Sequence, residues 1–216
     1  MSDRWRRLAP LTGVIFSVLL VVAIFSEGET PESNATSAKV IAYFASHRSS
    51  VETSTIVFAF AFLFLVLFAG SLRSYLRRTP AAEGLSALVL AGGVLAAAGG
   101  LMISGVEHGL AEELNYLGPE TAQTLNFLSE ELFLPIVVGA FLFAIASGLA
   151  VLRGARLPKW LGWAAIVIGI VVLIPPLSFP ALLAFAIWTV IVSILVYVRT
   201  GGAGSGAPEP SPAGAG

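Results

Sequence analysis

Cysteine is absent from the 216 residues, which excludes disulfides, thiolate metal sites and cysteine nucleophiles. Charge is nearly as scarce: 12% of residues are Asp, Glu, Lys or Arg, against about 25% in a typical soluble domain. The deficit is uneven, because long uncharged stretches alternate with short segments that hold almost every charge. No acidic, basic or histidine side chain falls in the central part of any of these stretches. Ion-coupled pumps, voltage sensors and carriers of charged substrates generally need such residues at mid-membrane, and a haem-bearing bundle needs paired core histidines. P-loop and G-x-G-x-x-G motifs are also missing, and the charged segments are too short to hold a nucleotide domain. No catalytic residue and no cofactor is therefore assigned. A net charge of −1 gives no reason to expect nucleic acid as a partner.

What the sequence has is apolar length. Hydrophobic residues make up 56% of it, gathered into uncharged runs at 8–26, 53–72, 84–106, 132–152 and 160–198. A helix rises about 1.5 Å per residue and the hydrocarbon core is about 30 Å thick, so roughly 20 residues make one crossing. Four runs fit one helix each. The fifth is long enough for two, with Pro175, Pro176 and Pro180 near its middle to break the helix and build a turn. Phe58, Phe60, Phe62 and Phe64 alternate as in a strand, but a lone strand cannot span lipid with its backbone unpaired. The expected fold is all-α: a polytopic transmembrane bundle of six helices, at 8–26, 53–72, 84–106, 132–152, 158–174 and 181–198. It forms a single domain over residues 1–200, with the bilayer as its first partner. Residues 201–216 are almost all Gly, Ala, Pro and Ser and should form a disordered tail.

Charge sets the expected orientation. Ten of the 12 basic residues lie at 4–7, 73–78, 153–159 and 199, while ten of the 13 acidic residues lie in the alternate loops. Lys and Arg stay on the cytoplasmic side during insertion, which places both termini inside. Trp5, Tyr75, Trp160 and Tyr197 on that side, and Tyr43 and Tyr116 on the other, stand where amphipathic rings prefer the headgroup layer. Arg4, Arg6 and Arg7 ahead of an apolar run could also mark a signal peptide, but no A-x-A cleavage pattern follows. An anchor is the preferred reading.

The first outer loop carries Val40, Tyr43, Phe44 and His47 at i, i+3, i+4 and i+7, the spacing of a short amphipathic helix over about 36–47. A packing lid is the plainer reading and a ligand-gating lid the sharper one. In the second outer loop, Pro119-Glu120 resembles a helix first turn, running into the fourth span with a bend at Pro135. Gly92, Ala96, Gly100 and Ser104 recur at i+4 on the third span, as do Ala140, Ala144 and Gly148 on the fourth. Small residues in this register let helix backbones approach closely, so they are the expected helix-packing positions, with the third helix central. No metal site is assigned. The weak candidates for one, or for acid–base chemistry, are His47, His108 and Glu112, with His108 and Glu112 as i, i+4 neighbours. Trp188 in the sixth span needs an acceptor for its indole N–H and should point into the bundle.

The segment Leu157-Pro158-Lys159-Trp160-Leu161-Gly162-Trp163, then Pro175-Pro176 and Trp188, resembles the C-terminal half of small six-helix bacterial membrane proteins grouped as a domain of unknown function. Thr30-Pro31, and Val40 through Tyr43-Phe44 to His47-Arg48, are similar to their outer loop. The resemblance implies a bacterial cell membrane and brings no activity or site residue. The reading reached is a non-enzymatic membrane protein with a structural, sensing or interaction role, partnered by lipid and by another copy or another membrane protein. The alternatives are a transporter or channel subunit for a neutral or lipophilic solute, and an outer-surface enzyme or metal site using His47, His108 and Glu112.

Overall fold

The computed structural model describes residues 8–28 and 30–201; the basic residues at 4–7 lie outside them, as does the disordered tail expected over 201–216 except Gly201, which ends the last helix. Every regular element among the described residues is helical. A 3-10 turn (Ala9–Leu11) leads into α1 (Thr12–Glu27), followed by α2 (Ser37–Leu76), α3 (Pro80–Glu112), α4 (Pro119–Glu131), α5 (Phe133–Leu152), α6 (Lys159–Val172) and α7 (Pro175–Gly201). Proline opens α3, α4 and α7, at the position where its missing N–H costs nothing and its fixed φ is already helical. Gly154 takes φ +108° just past α5, while Ala155 N–H bonds the Ala150 carbonyl at 3.2 Å and Gly154 N–H bonds Val151 at 3.3 Å. This pair of bonds is a Schellman stop.

Five helical stretches are long and apolar enough to cross a membrane: 9–26, 37–76, 80–112, 119–152 and 175–200. The chain is a multi-pass membrane protein built as an all-α bundle. Its surface agrees, since Val18, Phe25, Ile56, Phe60, Val94, Val167, Ile187 and Val198 are exposed along the helices, more apolar surface than a water-facing monomer tolerates. The fifth expected span, 158–174, departs from the even pattern. Helix α6 has 14 residues, or about 21 Å, short of a full crossing. Its turn falls at 173–174, so α7 starts at Pro175 instead of near 181 and carries Pro180 within it. Pro180 is tolerated because it lies so close to the helix start that only one early backbone bond is lost.

Helix α3 lies between α2 and α5, its most extensive neighbours. Helix α1 packs on α2 and α7, and α6 on α5 and α7. Two side-chain bonds tie the first helix region to the last: Ser17 Oγ donates to the Ala186 carbonyl at 2.9 Å, and Ser193 Oγ to the Pro10 carbonyl. Near the same end, Tyr75 Oη donates to the Arg156 carbonyl at 2.7 Å. Loops 77–79 and 153–158 therefore share one end, the basic end. Loops 28–36 and 113–118 share the other, the acidic end.

The acidic end is built up beyond the bundle. The helix expected over 36–47 is present, but it continues into the second span as one 40-residue element that bends at His47 (φ −114°, ψ 15°). Serine hydroxyls compete for carbonyls there: Ser46 Oγ donates to Ala42 at 2.7 Å and Ser50 Oγ to His47 at 3.0 Å, which bends helices. Val40, Phe44 and Val51 pack on Leu110, Ala111 and Ala122 in a small second core. Gln123 Nε2 donates to the Ala35 carbonyl at 3.0 Å and Asn126 Nδ2 to the Glu32 carbonyl at 3.2 Å, which fastens the first loop to α4. The break between α4 and α5 falls at Leu132, three residues ahead of Pro135, because the proline ring excludes a continuous ladder through that turn.

Candidate functional site

Between the cap and the packed lower bundle lies a partly enclosed cavity of about 470 Å³. Residues of α1 (Phe16, Leu20, Ile24), α2 (Thr55, Phe58, Phe62, Leu65), α3 (Ala96, Ile103), α5 (Phe133, Ile136) and α7 (Leu182, Leu183, Phe185) form its wall. Glu107, Ser129, Glu130, Gly28 and Thr30 line it toward the acidic end. Its size lies within the roughly 300–1,000 Å³ of small-molecule sites. Among the described residues that line it are two carboxylates and no Lys, Arg or His.

The floor is aromatic. Phe16 meets Phe62 and Phe185 edge-on at 6.1 and 6.4 Å, Phe185 meets Phe143 edge-on at 5.4 Å, and Trp188 stacks on Phe185 at 6.2 Å. Edge and offset pairs of this kind are each worth about 0.5–1.5 kcal/mol beyond area burial. Trp188 is 3% exposed and donates to the Leu161 carbonyl at 2.9 Å, so it points into the bundle with its acceptor, as its chemistry requires. Phe68 and Phe143, both fully buried, continue the plug toward the basic end. Helices α5 and α7 approach each other at few points of their backbones. There Val137, Val172 and Ala181 make a small separate cluster, and Phe179 stands half exposed at the cavity edge.

The small-residue positions divide among three interfaces. A Cβ on Gly92 would meet the Phe143 backbone N at 2.5 Å and the Gly139 carbonyl at 2.8 Å, so Gly92 packs backbone to backbone on α5. One on Gly100 would run into the Phe62 ring of α2. An i+4 stripe turns about 40° per step at 3.6 residues per turn, which carries α3 from facing α5 to facing α2. Ser104 is buried with Oγ on the Gly100 carbonyl at 2.9 Å. On α5, Ala140 lines the cavity, while Ala144 and Gly148 face α6 through Gly169 and Gly162. Gly139, whose added Cβ would press on the Ala96 backbone, is the counterpart that the i+4 pattern missed. It sits one position from the stripe, among enough small residues that spacing cannot choose between neighbours.

The titratable candidates do not converge as a trio. His108 Nε2 lies 3.4 Å from Glu112 Oε2, and its Nδ1 lies 3.5 Å from Thr55 Oγ1 on α2. His47 instead makes its bonds within its own turn: its ring stacks on Tyr43 at 4.7 Å, with Nδ1 3.1 Å from the Tyr43 carbonyl and 2.9 Å from Ser46 Oγ. Among the described residues, no three His, Asp or Glu side chains are grouped to hold a metal ion. Arg48 pairs with Glu52 at 2.6 Å; that hydrogen bond first, then the carboxylate charge, raises the guanidinium pKa.

No family model, no curated protein and no solved structure matches this chain.

Proposed function

We propose that the protein is a non-catalytic membrane receptor that holds a lipophilic small molecule in the cavity at the acidic end of its bundle. The observation that carries this reading is the cavity itself, about 470 Å³ of mostly apolar space in a bundle where α3 packs on α5, and α5 on α6, at backbone distance. Protein interiors are close-packed, with few voids larger than a water molecule. A hollow this size beneath a dedicated cap is space kept for an occupant. Sensing fits better than conduction, because the aromatic floor closes the route toward the basic end. The location consistent with this reading is a bacterial cell membrane with the basic end in the cytoplasm, which turns the cavity toward the outside. The charge asymmetry of the loops supports that orientation.

Titration of the purified full-length protein with N-phenyl-1-naphthylamine, a neutral fluorophore that brightens in apolar surroundings, tests the reading. Saturable binding of one probe per chain is expected. Ile103→Trp and Leu183→Trp, which project bulk into the cavity from opposite walls, should each weaken binding at least tenfold without loss of the folded bundle. Non-saturable partitioning, or binding unaffected by both variants, overturns the proposal. Movement of the probe across proteoliposomes would replace sensing by transport.

A further inference from the structure

Two hydrogen bonds give the register in which α1 and α7 run antiparallel. Ser193 Oγ reaches the Pro10 carbonyl, and seven residues along each chain Ser17 Oγ reaches the Ala186 carbonyl at 2.9 Å. The Phe16 and Phe185 rings touch near the same level. Continued toward the acidic end, this register sets Leu20 opposite Leu183 and Ile24 opposite Phe179, and all four line the cavity. Beyond Ser17, no hydrogen bond among the described residues joins the two helices. The seam is therefore fastened in its basic half and left to apolar side chains in its acidic half. Phe179 both lines the cavity and stands half exposed, which puts an edge of the cavity at this seam.

The surroundings of that edge are hydrocarbon. Val21, Val22 and Phe25 of α1 and Leu177 of α7 are exposed beside it, and no charged residue falls at 12–26 or 175–198. Both helices are long and apolar enough to cross a membrane. Ile24 lies three residues, or about 4.5 Å, inside the end of α1, so the seam opens on the acyl chains of one leaflet. The cap, with its loop pinned by Gln123 and Asn126, stands over the acidic end. A water-borne ligand would have to pass that cap, whereas a lipid chain already lies against the seam.

Resting on the receptor reading above, we infer that the ligand is an acyl chain of a bilayer phospholipid, which enters sideways between α1 and α7 and reaches the aromatic floor while its head stays in the headgroup layer. No hydrogen bond has to break for this. In lipid, apolar contacts between helices exchange for contacts with chains without a hydrophobic penalty, so the parting of Leu20 and Ile24 from Leu183 and Phe179 loses only their packing.

Trp188 reports on the floor, because it is buried and stacks on Phe185, which lines the cavity. Trp5→Phe, Trp160→Phe and Trp163→Phe leave it the one tryptophan of the full-length protein. This variant is placed in phosphatidylcholine vesicles whose acyl chains carry bromine, a short-range quencher, near their ends. Trp188 emission should fall by at least a third relative to unbrominated vesicles. Ala140→Phe, which fills the cavity from α5, should remove at least half of that quenching. The absence of cysteine allows a second arm. Ile24→Cys with Phe179→Cys, joined by a short bismaleimide before the lipid is exchanged, should prevent quenching, and the same pair left unjoined should not. Quenching that survives Ala140→Phe in full comes from lipid around the bundle and overturns the inference. Equal quenching in joined and unjoined protein overturns it as well, since the chain then enters elsewhere. No quenching, with N-phenyl-1-naphthylamine still bound and that binding weakened by Ile103→Trp, overturns the lipid chain and leaves the cavity reading standing. Loss of both signals takes the cavity reading with it.

Discussion

At the scale of single residues, the bundle is decided by where a side chain is missing. Gly92 and Gly139 sit where α3 and α5 bring their backbones together. In lipid this contact has no hydrophobic drive behind it and depends on close packing. Gly139→Ala forces a methyl group onto the Ala96 backbone and should cost about 1–3 kcal/mol, the usual range for overpacking. Reversible unfolding in mixed detergent micelles would read this as an earlier midpoint. Gly105→Ala, with nothing within 4 Å of the new Cβ, should leave the midpoint unchanged and serves as the control. Trp188→Phe keeps a ring on Phe185 but loses the bond to the Leu161 carbonyl, with an expected loss of roughly 0.6–2 kcal/mol in the same assay. The sequence identified Trp188 and its need for an acceptor, since an indole N–H in lipid has few choices. It could not tell Gly139 from Ala140, because neighbouring small residues satisfy the same spacing rule and only the facing helix separates them.

Among the elements, the informative ones are those that break their own pattern. The apolar spacing over 36–47 indicates an amphipathic helix, and Val40 and Phe44 are indeed buried in the cap. The spacing puts His47 on that face as well, yet it is exposed and marks the bend. The hydroxyls of Ser46 and Ser50 turn the chain there, whereas a periodicity count assumes a straight helix. The cap is fastened to α4 through amide side chains that bond loop carbonyls. Asn126→Leu should therefore release the segment at 30–35 at a cost of about 1–3 kcal/mol, because the carbonyls lose their donor. Limited proteolysis should cut that segment faster in the variant, while the spans stay protected. Unchanged cleavage would mean that the Gln123 bond to the Ala35 carbonyl and the packing of Ala35 and Ala122 hold the loop without Asn126.

For the whole molecule, the separation of charge into two ends organises everything else. Helical stretches at 9–26, 37–76, 80–112, 119–152 and 175–200 are long and apolar enough to cross, and the shorter α6 forms a hairpin with α7 between the two ends. Reporters fused after Arg77 and after Arg156 should both read cytoplasmic, and one fused after Glu113 should read exterior. A shared compartment for Arg77 and Glu113 would defeat the proposed orientation. The cavity also belongs to this scale, since its wall draws on α1, α2, α3, α5 and α7 together.

By itself the sequence determined that the chain is helical and membrane-spanning, because unpaired backbone and mid-bilayer charge are too costly in lipid for any other arrangement of these runs. It also determined which loops lie together, through the alternation of basic and acidic segments. The tertiary structure decided which small residues meet, that α6 is short, that the two acidic-end loops join in a cap, and that a hollow lies beneath it. Those properties arise between helices far apart in the chain, where an all-apolar surface gives no period to read and only the fit of one side chain against another helix chooses the outcome.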